Sequence, residues 1–323
     1  MQLTEQLEIE YAAARESAVF VKRDQPGVLA LLGDDAAEFL QGQVTNDIES
    51  LTPGQGAYAA LLTPKGKMRA DMRILRTERG VMVVAERALL PVIRHTIDTF
   101  RIGYFFTTED LSGDFDRITL IGPSAHAALA TFADSAPQLG TAENDHVGFE
   151  VTDVEVTAVV VGQNQLDLLV PTSVVDAVID RLEAEMRRAD EPLAELVRVE
   201  SGVPAFGKEL DENTIPGEAG LNDRAVSFEK GCYVGQETVA RMHYKGKPNR
   251  NLRALLAELP MEDGAPVIAK DGRELGSVGT AVVSPEHGPI ALAVLRREAE
   301  IGDDVTVSGL TARVVDTASL NTN

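Results

Sequence analysis

The sequence predicts an α+β protein that closes on a small all-β domain. Three properties carry that expectation. The chain has 323 residues, room for two or three domains, because single cores tend to split beyond roughly 250 to 300 residues. Before about residue 200, strand-like and helix-like segments mix without the regular alternation of a parallel sheet. From Asn251 onward the sequence turns to short apolar stretches set apart by glycines and turn pairs, the pattern of a barrel or sandwich.

Branched and alternating residues predict strands near 17–22, 55–62, 67–76, 81–85, 117–121, 151–161 and 165–170. Helical periodicity fits 34–41, 88–101, 123–132, 172–188 and 191–202. The third of these opens on Pro123 and Ser124, where proline suits a first turn. The C-terminal stretches are 252–257, 265–269, 274–283, 289–295, 303–307 and 311–315, punctuated by Gly264, Asp271-Gly272, Gly288-Pro289, Gly302 and Gly309.

Composition narrows the function. With 44% apolar and 25% charged residues the chain is ordinary globular material. Its 30 bases and 51 acids leave a net charge of -21, which repels polyanions, so direct nucleic-acid binding is not expected. Aliphatic runs such as Ile290 to Leu295 fall short of the roughly 20 residues of a membrane helix. The first ten residues carry Glu5, Glu8 and Glu10 and no base, unlike a secretory signal; a cytoplasmic location and no membrane contact are expected. The single cysteine, Cys232, excludes an internal disulfide and a cysteine-built cage within one chain, and no metal site is predicted. The five histidines are scattered singly, and P-loop, G-x-S-x-G, H-E-x-x-H and dinucleotide fingerprints are missing.

Three features stand out. Lys230-Gly231-Cys232-Tyr233-Val234-Gly235-Gln236-Glu237 sets the cysteine among glycines beside a lysine and before a helix start. A cationic neighbour raises a thiol's thiolate fraction, which points to a reactive thiol; the competing reading is a small buried hydrophobe. Between Glu237 and Glu258 no acid occurs, while Arg241, Lys245, Lys247, Arg250 and Arg253 do, a basic island that suits a small anion or is a solvated loop. A smaller basic stretch, Lys65, Lys67, Arg69, Arg73 and Arg76, alternates along an expected strand and reads as its wet face. Third, Arg198-Val199-Glu200-Ser201-Gly202 places a carboxylate at a helix end, where it can grip an amidine-like edge or pair with Arg198 or Arg224.

Taken together the motifs resemble a known family. Lys230 to Glu237 resembles the K-G-C-[FY]-x-G-Q-E signature of the YgfZ-type folate-binding proteins, relatives of the glycine-cleavage T-protein, an aminomethyltransferase. Phe39-Leu40-Gln41-Gly42-Gln43-Val44-Thr45-Asn46-Asp47 is similar to the family's early F-L-Q-G-Q-[LV]-T-N-D, and Leu62-Thr63-Pro64-Lys65-Gly66-Lys67 to its [LD]-x-P-K-G-[KR]. Arg198 to Leu221 resembles a segment shared with the T-protein. Where T-proteins resemble G-G-x-x-D-D, this chain has Ala70-Asp71, so one acid of a pair is missing, which weakens a T-protein role.

The resemblance implies a three-lobed disc with two interleaved, ferredoxin-like α+β lobes and a C-terminal β-barrel. The expected lobes are 1–50 with 115–195, 51–114 with 196–248, and 249–323. It implies tetrahydrofolate or a one-carbon derivative in a central channel, Glu200 on the pterin, and Cys232 as the signature thiol. Tyr233 is a further folate candidate, and Asp71 a weak catalytic one. Arg224, Arg241 and Lys245 are candidates for the glutamyl carboxylates, chosen by charge and proximity to the motif. The implied role is an accessory protein for iron-sulfur assembly or repair, with the assembly machinery or client enzymes as partners and indirect effects on tRNA modification. The alternative is an aminomethyl or other one-carbon transferase, and whether the chain is catalytic stays open.

Overall fold

The computed structural model describes Met1 and residues 3–320. Helix α1 (Glu5–Glu16) begins at Thr4, whose hydroxyl accepts from the Leu7 amide at 3.2 Å, and it carries Glu5 and Glu8 in its first turn, where the helix dipole favours acids. Strand β1 (Val19–Arg23) follows, then β2 (Gly27–Leu32) and helix α2 (Ala36–Gln43). The chain continues through β3 (Gly56–Leu62), β4 (Met68–Thr77), β5 (Gly80–Ala85), α3 (Leu90–Phe100) and β6 (Thr107–Asp110). It then forms β7 (Phe115–Ile121), α4 (Ala125–Phe132), β8 (His146–Val151), β9 (Val154–Gly162), β10 (Gln165–Pro171), α5 (Val175–Glu185) and β11 (Arg187–Ala189).

Helices α6 (Glu191–Glu200), α7 (Asn222–Ala225) and α8 (Gln236–Lys245) lead to the last six strands. These are β12 (Arg250–Ala257), β13 (Pro266–Ile268), β14 (Glu274–Ser284), β15 (Gly288–Arg296), β16 (Asp304–Val307) and β17 (Leu310–Val315). They close into a barrel in the order β12-β15-β14-β13-β16-β17, and every pairing in it is antiparallel. The architecture is α+β with a C-terminal β-barrel.

The first sheet has the order β11-β1-β7-β10-β9-β8, antiparallel except for the β1–β11 pair. The second has the order β3-β4-β5-β2-β6 and is antiparallel throughout. Its interior strand β2 corrects the expected boundary at residue 50. An apolar run buried from Gly27 to Leu31, β2 pairs with β5 and β6, so the chain crosses between sheets at residues 24–26. The other expected boundary, at 195/196, falls inside α6. The strand expected at 151–161 is β9, starting at Val154, and it pairs with the unexpected β8 before it through a turn at Thr152 and Asp153, both with positive φ (54° and 60°), as a tight two-residue turn requires.

Each sheet packs a pair of helices into a lobe core, α2 and α3 on the second sheet and α4 and α5 on the first. Phe39, Ile74, Ile93, Ile97 and Phe106 fill the second lobe, and Phe20, Leu120, Phe132, Val178 and Leu182 the first. The far face of the first sheet, through Val19 and Val21, meets α1, α6 and the barrel residues Leu252, Ile290 and Leu292. The two sheets touch each other at Leu75, Val84, Val159 and Leu169.

Candidate functional site

Alternation along a strand decides which residues face the junction of the two sheets. Ala57, Ala59, Leu61, Ala70, Met72 and Ile74 enter the core of the second lobe. Tyr58, Asp71, Arg73 and Leu75 therefore face the other way. A register shift between the Leu61 and Leu62 pairings takes Arg69 out of this row, and its Nη1 reaches Thr96 Oγ1 on α3 at 3.2 Å.

At this junction Tyr58 Oη donates to Asp71 Oδ2 at 2.5 Å. Burial raises the pKa of Asp71 above the usual carboxylate range and that of Tyr58 well above the usual phenol range. Arg224, on α7, lies with its guanidinium carbon 4.3 Å from the Tyr58 ring centre. Its Nε donates to Glu143 Oε1 and Oε2 at 2.9 and 3.0 Å, and its Nη2 to Oε1 at 2.5 Å. Arg73 Nη1 reaches the same Oε1 at 2.9 Å and Asn144 Oδ1 at 2.5 Å, while Nη2 donates to the Val161 carbonyl at 3.1 Å. Burial alone would raise Glu143, but the two arginines outweigh it and hold its carboxyl below the usual range.

The group thus combines a phenol–carboxyl pair that can both donate and accept with two guanidinium forks suited to carboxylates. Tyr58, Glu143 and Asn144 escaped the sequence reading, and Arg73 was read there as part of a wet strand face. Its side chain is 17% exposed and tied to the first lobe. The only sequence signal for Tyr58 is a lone aromatic in the run Ala57-Tyr58-Ala59-Ala60.

The three motif segments meet beside this group. Lys230 Nζ donates to the carbonyls of Gln41, Val44 and Asn46 at 2.6, 2.9 and 2.7 Å and lies 5.2 Å from the Tyr233 ring centre. Burial pushes its pKa down to about 8, with Asp47 and Glu49 opposing, so the ammonium persists at neutral pH with all three hydrogens placed. Thr45 Oγ1 donates to the Ala225 carbonyl at 2.6 Å and accepts from the Ala60 amide at 2.9 Å. Asn46 Nδ2 bridges the carbonyls of Tyr58 and Arg224. Gly235 has φ +86°, and a Cβ there would stand 2.6 Å from the Thr63 carbonyl oxygen, so the Thr63–Gly66 turn and the cysteine motif approach as closely as glycine permits.

The expected site residues separate into distinct places. Asp71 and Arg224 come together through Tyr58, whose apolar surroundings also include Tyr233. Burial raises the Tyr233 phenol to about 12. Gly231 and Cys232 are exposed, which overturns the reading of Cys232 as a buried hydrophobe. The expected cationic neighbour, Lys230, is turned into its carbonyl pocket. Gln236 opens α8 and Glu237 is exposed in its first turn. Arg241 and Lys245 are exposed on α8, and among the described residues no hydrogen bond or ion pair joins them to the Tyr58 group.

Glu200 lies elsewhere. It is 7% exposed at the end of α6, accepting from Tyr11 Oη at 3.2 Å and Ser284 Oγ at 2.6 Å, and burial raises its pKa. The expected partners do not pair with it: Arg198 is held by Glu195 and Glu209, and Arg224 by Glu143.

Known proteins match this arrangement over most of the chain. The protein named tRNA-modifying protein YgfZ from Klebsiella pneumoniae is 27% identical over 296 residues, covering 88% of this chain and 86% of its own. Its Photorhabdus laumondii counterpart, of the same name, is 28% identical over 236 residues, covering 72% and 69%. The crystal structure of glycine cleavage system aminomethyltransferase T from Bartonella henselae superposes with a TM-score of 0.85 at 21% identity, over 99% of this chain and 91% of that one, which establishes a shared fold. The family described as the GCVT N-terminal domain matches residues 1–230. That span is well over half of the 323 residues, and the chain belongs to the GCVT N-terminal domain family.

Proposed function

We propose that the chain is a tetrahydrofolate-binding accessory protein of the YgfZ kind, supporting iron-sulfur cluster assembly or repair and affecting tRNA modification through client enzymes. The observation that carries this reading is the Tyr58–Asp71 pair beside Arg224 and Arg73. Its chemistry fits a folate. A carboxyl of raised pKa next to a phenol offers donors and acceptors to an aminopyrimidinone edge, and the guanidinium forks suit glutamyl carboxylates. Asp71 and Tyr58 would hold the ring, with Asp71 able to keep or release a proton at its carboxyl oxygen. Bound tetrahydrofolate would supply a carrier for one-carbon units. The similarity to relatives named tRNA-modifying protein YgfZ supports the link to tRNA modification. With one cysteine in the chain, clusters, which normally take four ligands, are substrates on other proteins.

A one-carbon transferase is the second reading, and one observation favours it. Ala70, at the position of the missing acid, is fully buried in the apolar core of the second lobe, whereas Asp71 is the acid that meets Tyr58. The substitution therefore leaves the acid of the site in place, and its weight against a transferase is less than the sequence implies.

Titration calorimetry with tetrahydrofolate tests the main reading. Asp71→Ala should weaken binding about tenfold or more, the loss of a hydrogen bond involving a carboxyl group. Glu200→Ala, run beside it, decides whether Glu200 also serves the pterin. Absence of binding heat in the parent protein would refute folate binding, and methylene transfer from an aminomethyl-lipoyl carrier would favour the transferase.

A further inference from the structure

We infer that Arg224 and Arg73 form a carboxylate-binding site which the chain's own Glu143 occupies, and that a carboxylate-bearing ligand enters by displacing the Glu143 side chain. This rests on the reading above only for the identity of the ligand. Glu143 comes from residues 133–145, the 13 residues between the end of α4 and the start of β8. Irregular connections of this length are uncommon in compact domains and are commonly functional. Its carboxylate crosses from the first lobe to the second and accepts only from Arg224 and Arg73 among the described residues. That is the paired geometry in which arginine binds a free carboxylate.

A second arginine–carboxylate pair shows what a locked one looks like. Arg198 meets Glu209 at 2.9 Å, and the Glu209 side chain is 0% exposed, walled in by Gly279, where an added Cβ would come within 2.7 Å of it. Glu143 instead keeps 31% of its side chain exposed. Water therefore reaches it, and it can swing out without opening a core. A ligand carboxylate arriving on the same forks would stand next to the Tyr58 ring, so the class of ligand is an aromatic or heteroaromatic molecule bearing one or more carboxylates.

Glu143→Gln tests this, because it keeps the size and an acceptor oxygen but removes the competing charge. Calorimetry compares parent and variant with tetrahydrofolate, with tetrahydropterin, which has no glutamate, and with γ-glutamylglutamate. The variant should bind both carboxylate ligands about tenfold tighter, the difference between a charged and a neutral competitor, with tetrahydropterin unchanged. Adding Arg224→Met should abolish the gain. Equal affinities for all three ligands, or a gain shared by tetrahydropterin, would overturn the inference. A gain for γ-glutamylglutamate with no folate binding in either protein would sustain the self-occupied site and refute the folate reading. Should Glu143→Gln not fold, Glu143→Asp, which shortens the reach to both arginines, should shift affinity in the same direction, and no shift there would equally overturn it.

Discussion

Lys230→Met isolates what the lysine of the cysteine motif does. The substitution keeps the unbranched stem near Tyr233 but removes three hydrogen bonds to the carbonyls of Gln41, Val44 and Asn46. Bonds made by a charged group contribute about 1.5 to 3 kcal/mol each. Against this stands the cost of burying the ammonium, visible in its depressed pKa of about 8. A net destabilisation of about 3 to 5 kcal/mol is expected, the range for removing one partner from a buried charged cluster. At about 2 °C per kcal/mol for a large folding unit, the melting temperature should fall by roughly 6 to 10 °C. Differential scanning calorimetry on both proteins at neutral pH measures it. A drop below about 1 °C would show that the three carbonyls find water as good a partner, and the clamp would lose its structural role.

Two further outcomes follow from the same geometry. Asp71, raised in the folded state, contributes stability that is full below its unfolded value and is lost as pH rises through the folded one. Asp71→Asn cannot ionise yet still accepts from Tyr58, so its melting temperature should match the parent's near about pH 4 and exceed it increasingly toward about pH 7; a gap independent of pH would remove burial as the cause. Cys232, exposed, should be alkylated by iodoacetamide in the folded protein. Cys232→Ser should melt within about 1 °C of the parent, as open surface positions do, yet fail to restore iron-sulfur enzyme activity in cells lacking the chain. Full restoration would leave the motif as a set of packing residues.

What the sequence made legible follows local signals. The barrel strands lie close to their expected places because a turn signal such as Gly264, Gly272, Gly288 or Gly309 separates most of them. The β8–β9 hairpin was hidden because its turn uses Thr152 and Asp153 in place of the glycine that positive φ usually calls for. Helix α1, capped by Thr4, is not among the expected helices, because its buried face of Leu7, Glu10, Tyr11 and Ala14 includes an acid and an alanine and makes a weak apolar stripe. The cysteine motif was legible as a unit, but its division of labour was not, because the direction of Lys230 is set by carbonyls nearly 190 positions earlier. Glu143 lies in an irregular segment and meets Arg73 and Arg224 across 70 and 81 positions, where no periodicity can point to it.

The junction of Lys230 with Gln41, Val44 and Asn46 also has a consequence in time. The partners are separated by 189, 186 and 184 positions. A ribosome adding about 5 to 20 residues per second leaves those carbonyls waiting roughly 10 to 40 seconds for the lysine. Strand β3, at the rim of the second sheet, has its edge bridged early by Val44 and Thr45, but α7 and the residues after it, which pack on it in the finished molecule, arrive only near the lysine. During that interval the nascent chain leaves the Tyr58, Ala60 and Leu62 face of β3 without its later apolar partners, exposed surface of the kind that associates with neighbouring chains. Slowed translation between residues 62 and 230 should therefore lower the soluble yield of this protein more than slowing across the barrel, whose strands find their partners within the last quarter of synthesis.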